Sequence, residues 1–133
     1  MPEPLLESLQ RHIKLDGYTI VPEEGNAFSA LHDSKPKFAV FPVNNGALFL
    51  TKYRLGNGAK SDRVALLEFL NRANGYSVVA RFSCETDYMT VAAWFPGSFG
   101  VEIFEVFFKQ FFVDAYAPIE MDKSSVEKLF RLE

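Results

Sequence analysis

The tripeptide Asn44-Asn45-Gly46 constrains the fold more than any other stretch of the chain. It lies between two strand-like runs, Lys37 to Val43 and Ala47 to Arg54. An Asn-Gly pair in that setting takes the two central positions of a type I′ hairpin turn, because both residues tolerate positive φ. A hairpin forces its flanking strands to pair antiparallel. Pro42 cannot donate to a ladder, so its strand lies at an edge or ends there.

The rest of the chain extends this pattern. Residues 3 to 15 carry Leu5, Leu6, Leu9 and Ile13 at helical spacing, and Gly17 follows as a C-terminal cap. Tyr18 to Val21 and Ala27 to His32 are further strand-like runs, separated by the acidic turn at Glu23-Glu24-Gly25-Asn26. A second helix, capped by Ser61 with Asp62 in its first turn, presents Leu66, Phe69, Leu70 and Ala73 and ends at Asn74-Gly75. Ser77 to Cys84 and Tyr88 to Phe95 make a second hairpin. Runs of strands between helices, joined by tight turns, define an α+β fold. The expected architecture is an antiparallel sheet of about five strands with helices on one face, in the order α-β-β-β-α-β-β-α, plus a short C-terminal helix. One domain over residues 1–133 is expected, with a core at about 4–117 and a tail at about 118–133.

Two elements are more apolar than a surface position requires. The strand 88 to 95 has Met89, Val91, Ala93 and Phe95 on one face and Tyr88, Ala92 and Trp94 on the other. A strand with one watery face would not look like that. The third helix, Phe99 to Tyr116, has Val101, Phe104, Phe107, Phe108, Phe111 and Ala115 on its main face. Beyond a polar stripe of Glu102, Glu105 and Lys109 lies a second apolar set: Phe99, Ile103, Val106 and Val113. A surface helix needs one apolar stripe. Gln110 and Asp114 dilute the second. Phe99, Ile103, Val106, Val113, Tyr88 and Trp94 are therefore the expected partner or dimer surface. The terminal segment, where Pro118 is expected to stop the helix and Ser124 with Glu127 forms a capping-box pattern, is the other candidate to cover that stripe.

Composition bears on the same point. The chain has 14 Phe and one Trp among 133 residues. Phe has no polar handle, so its rings go into a core or an interface, and 14 suggest a second buried surface. A net charge of −3 and the lack of a basic run argue against nucleic acid. Cys84 is the single cysteine, which fits a reducing compartment. No signal-peptide pattern opens the chain, and no stretch approaches the roughly 18 apolar residues of a membrane span. A cytoplasmic protein is expected, with no membrane partner.

The chemistry-bearing residues form no constellation. Cys84 has neither His12 nor His32 near it in sequence, so a nucleophile–base pair has no local support. Two histidines and one cysteine lack metal-ligand spacing. Gly56-Asn57-Gly58-Ala59-Lys60-Ser61 sits where a strand meets a helix, but Ala59 separates Gly58 from Lys60 where a phosphate loop needs Gly-Lys-Ser. No catalytic, cofactor or metal residue is expected.

The stretch Leu67-Glu68-Phe69-Leu70-Asn71-Arg72-Ala73-Asn74, followed by Val78-Val79-Ala80-Arg81-Phe82, resembles the YbjN-type bacterial proteins, which are proposed sensory transduction regulators. Their fold is that of the type III secretion chaperones. The likeness in layout covers about residues 4 to 117, and the specific motif about 67 to 82. It marks Asn71, Asn74 and Arg81 as a polar motif. It implies a non-enzymatic binder acting as a homodimer on another protein or an extended segment. A small-molecule sensor with a pocket between helix and sheet is the alternative.

Overall fold

The computed structural model describes residues 4–97 and 100–130. Six strands form one antiparallel sheet: β1 (Thr19–Pro22), β2 (Phe28–Leu31), β3 (Phe38–Val43), β4 (Gly46–Arg54), β5 (Arg81–Cys84) and β6 (Tyr88–Phe95). Their spatial order is β1-β2-β3-β4-β6-β5. The helices are α1 (Leu5–Leu15), α2 (Asn57–Ser61), α3 (Arg63–Tyr76), α4 (Val101–Met121) and α5 (Lys123–Leu129). The α+β class and the helices on one face are as expected. The sheet has six strands rather than about five, and two helices rather than one separate β4 from β5.

The β3–β4 hairpin forms, but one residue out of the expected frame. Val43 pairs with Gly46, so Asn44 and Asn45 are the central residues, with φ of 52° and 62°. Gly46 is instead needed for space. A Cβ there would collide with the Phe95 carbonyl and lie 2.6 Å from the Trp94 indole. β3 is an interior strand, and Pro42 sits at its end.

One apolar cluster fills the space between sheet and helices. Leu9 and Ile13 of α1, Leu66 and Phe69 of α3, and Phe104, Phe108 and Phe111 of α4 meet Phe38, Phe49, Val91 and Phe95 from the sheet. The rings of Phe104, Phe107, Phe108 and Phe111 lie 5.2–6.1 Å from that of Phe49. Aromatic pairs at such spacings add about 0.5–1.5 kcal/mol each beyond simple burial. Eleven of the 14 Phe are buried in this core. Phe99, on which one expectation rested, lies outside the described residues. The phenylalanine surplus therefore belongs to the core, and the second stripe of α4 is aliphatic.

Pro118 does not stop α4, which continues to Met121 with the proline buried inside it. Proline removes the N–H that would bond the Asp114 carbonyl. Burial of the ring helps to offset that loss, and the Tyr53 hydroxyl donates to the Ala115 carbonyl (3.3 Å). Two caps also differ from expectation. Asp62, not Ser61, caps α3 by accepting the Ala65 N–H (3.0 Å). Asp122, not Ser124, caps α5 by accepting the Ser125 N–H (3.2 Å).

These two aspartates also fasten α5. Asp62 pairs with Lys128 (2.6 Å) and Asp122 with Arg72 (2.9 Å). The Lys128 hydrogen bond, then the Ala65 N–H, hold Asp62 below the usual carboxylate value of 3.8. For Asp122 the Ser125 hydrogen bonds come first. Lowered folded-state values mean the stabilisation is complete above the unfolded value and vanishes as pH falls through the lower folded one. Hydrogen exchange of the Val126–Phe130 amides should therefore be protected to a constant degree above about pH 5 and lose protection below about pH 4.

Candidate functional site

Cys84 and His32, one candidate nucleophile–base pair, lie far apart along the sheet order. Cys84 stands on β5, and His32 follows β2 near the other side of the sheet. His32 is edge-on to Tyr18 and accepts the Ser34 N–H. Burial pushes the Cys84 thiol up, which suppresses the thiolate a nucleophile requires. Burial also raises Tyr18 beyond its ordinary range and Tyr53 to about 12. In the Gly56 loop, the Gly56 N–H donates to the Leu129 carbonyl (2.8 Å) and so is not offered to an anion.

His12, Asp16 and Glu105 do converge, with ligand-type atoms within 4.8 Å of one another. Sequence spacing could reveal only His12 and Asp16, one helical turn apart. Glu105 arrives from α4, and its contact with His12 ties α1 to α4.

The polar motif resolves into separate roles. β5 is an edge strand. The Asn74 side chain takes both outward backbone groups of Phe82, accepting its N–H (2.7 Å) and donating to its carbonyl (3.0 Å). Asn74 thus blocks a free sheet edge that another chain could pair with. It does not cap α3, which runs on to Tyr76. Asn71 is exposed on α3, and Arg81 is exposed on β5 opposite Ala92.

Asp114, which the sequence presents only as a polar interruption, is 3% exposed. One of its oxygens accepts the backbone N–H groups of Val78, Val79 and Ala80 at 2.7–2.9 Å, and the other accepts from Gln110 (2.8 Å). This clasp fixes the segment entering β5 to α4. Asn74 and Asp114 together hold a strand of only four residues in place.

The five described residues of the expected partner surface fall on two separate faces. Ile103, Val106 and Val113 lie on the outward side of α4, 67%, 72% and 51% exposed. α5 packs at α2 and the end of β4, where Leu55 bridges to Phe130, and leaves this stripe uncovered. Tyr88 and Trp94 lie on the face of the sheet that no helix covers. The alternation in β6 puts Met89, Val91, Ala93 and Phe95 into the core, and so turns Tyr88, Thr90, Ala92 and Trp94 the other way.

That open face is itself apolar at its centre. By register, Leu48 and Leu50 of β4 lie opposite Phe41 and Ala39 of β3 on one side, and opposite Trp94 and Ala92 of β6 on the other. The Trp94 indole lies over Gly46, donates to the Val43 carbonyl (2.8 Å) and remains 46% exposed. A concavity of about 740 Å³ is lined by Lys37, Ala39, Phe41, Leu50, Lys52, Arg54 and Tyr88. A second, of about 280 Å³, lies beside Leu48, Ala92, Trp94 and Arg81. Lys52 and Arg54 sit 5.5 and 5.9 Å from the Tyr88 ring centre. The basic residues were visible in sequence as an alternation at the end of β4. Their alignment with Lys37 and Arg81 on one face needs the register.

One antiparallel sheet with helices on one face and an open second face places the chain among two-layer α+β folds. Within that class its layout is YbjN-like. The crystal structure of YbjN from E. coli, a proposed transcription regulator, superposes with a TM-score of 0.73 over 97% of this chain and 97% of that one. Sequence identity is 16%, so the likeness is one of fold. No protein-family model matches the sequence, and no curated protein does. No helix among the described residues is long and apolar enough to cross a membrane.

Proposed function

We propose that this chain is a non-catalytic, cytoplasmic protein-binding domain of a regulatory kind, dimeric through the exposed stripe of α4. The observation that carries the dimer is the stripe itself. Ile103, Val106, Gln110 and Val113 are spaced three, four and three residues apart, so the pattern reads alike in both directions. In an antiparallel pair of α4 helices related by a two-fold axis midway between Val106 and Gln110, Ile103 meets the partner's Val113, and Val106 meets the partner's Gln110.

The likeness to a proposed regulator fits this reading. A sensor of small molecules would instead use space between helices and sheet, and phenylalanine rings fill that space. Sedimentation equilibrium at micromolar concentration should give a dimer, and Val106→Glu a folded monomer whose melting temperature, unlike the parent's, does not vary with protein concentration. A monomeric parent chain would overturn the dimer.

A further inference from the structure

We infer that the open face of the sheet is a docking surface for an extended peptide segment in which acidic residues alternate with large aliphatic ones. The inference rests on the reading of the chain as a binding domain but not on its dimerisation, which uses the opposite side of the molecule.

Charge complementarity selects the acidic partner. The chain as a whole is net −3. On this face, however, Lys37, Lys52, Arg54 and Arg81 are all exposed. Glu23, which accepts from the Ser29 hydroxyl (3.1 Å), stands at the edge of the larger concavity as a carboxylate among these bases. A rim mostly of one sign on a molecule of the other sign steers and orients an oppositely charged ligand.

The floor selects an aliphatic, peptide-like ligand. Leu48, Leu50, Ala39 and Ala92 form a half-buried apolar strip, with Phe41 and Trp94 projecting from it. Trp94 is pinned by its own hydrogen bond, so it offers contact area with little conformational entropy to lose. Tyr88 is already engaged by Lys52 and Arg54, so it is not a free ring on which a base could stack.

A further observation concerns Thr90. It is 7% exposed, and its hydroxyl has no hydrogen-bond partner among the described residues. Its register neighbours are Lys52 and Ser83, so it belongs to this face. Buried polar groups are nearly always bonded. A ligand carboxylate between Lys52 and Ser83 would supply the acceptor that this hydroxyl lacks.

Trp94 is the only tryptophan, so its emission reports on this face alone. The test uses the full chain and three capped peptides of about eight residues, long enough to span about 26 Å when extended. Leu alternates with Glu, Ser or Lys. The Glu peptide should shift Trp94 emission to the blue, saturably, and bind at least about tenfold more tightly than the Ser peptide. Its affinity should drop about tenfold when the salt concentration is raised from low to high, and again in Lys52→Glu/Arg54→Glu, whose melting temperature should stay unchanged. Binding should survive in Val106→Glu, which separates this inference from the dimer. Equal binding of all three peptides, an unaffected double variant, tighter binding of oligothymidylate, or emission that changes only with protein concentration would each overturn it.

Discussion

Asp114→Ala should lower folding stability by about 3 kcal/mol, because it removes the acceptor for three consecutive backbone N–H groups from a buried position. For a chain of this size that is a fall in melting temperature of roughly 10 °C. The loss should not be spread evenly. The amides of Val78, Val79 and Ala80 should lose hydrogen-exchange protection first, and β5 should follow because, among the described residues, β6 is its one strand neighbour and the Asn74 side chain alone bonds its outer edge at Phe82. Asp114→Asn should cost about half as much. It keeps one oxygen for the three donors, and the Gln110 amide can turn to accept from the new NH2 group. Equal losses in the two variants would show that the charge, rather than the acceptor geometry, holds the segment. A loss under about 0.5 kcal/mol in both would show that water replaces the clasp at no cost.

The clasp also shows where sequence reading stops. Periodicity together with turn and cap signals located four of the five helices and all six strand-like runs, although about five strands were expected and α2 was missed; alternation and 3.6-residue spacing are local properties. It also showed that α4 carries apolar residues on two sides. It could not show what lies opposite each side. Asp114 reads as a flaw in an apolar stripe until the loop 77–80 is placed against it. Asn74 reads as a cap until the edge of β5 is placed beside it. Pro118 reads as a stop, because the rule for proline is local and the burial that tolerates it is not.

The candidate binding surfaces follow the same division. Tyr88 and Trp94 were legible as excess apolarity on β6. Phe41, Leu48 and Leu50, which complete the open face, lie in strands where apolar residues stand on both faces. Only the register shows which of them point away from it. The basic rim is distributed over β4, β5 and the start of β3, and no window of sequence contains it. The phenylalanine count led the other way: it suggested an interface, and the structure spends the rings on the core.

Two helical glycines give a second large effect with a sign that local propensity gets wrong at one of them. Replacing glycine by alanine inside a helix is worth up to about 1 kcal/mol in favour of alanine. At Gly75, in α3, an added Cβ meets nothing within 4 Å, so Gly75→Ala should stabilise by roughly that amount or somewhat less. At Gly58, in α2, the same methyl would collide with the carbonyl of Lys128, which is backbone and cannot swing aside. Gly58→Ala should therefore destabilise by about 1–3 kcal/mol, the usual cost of overpacking. The strain falls on one joint: the Gly56 N–H bonded to the Leu129 carbonyl, the Leu55–Phe130 bridge and the Asp62–Lys128 pair all tie the same two segments. If α5 is pushed away, Val126, Leu129 and Phe130 lose their burial, and Phe130 leaves Phe69 and Tyr53. Limited proteolysis should then cut Gly58→Ala near residues 121–130 while parent and Gly75→Ala stay intact. Equal melting temperatures for the two alanine variants would mean that α5 is not seated against α2 in solution, and that the carboxylate ties at Asp62 and Asp122 hold nothing in place.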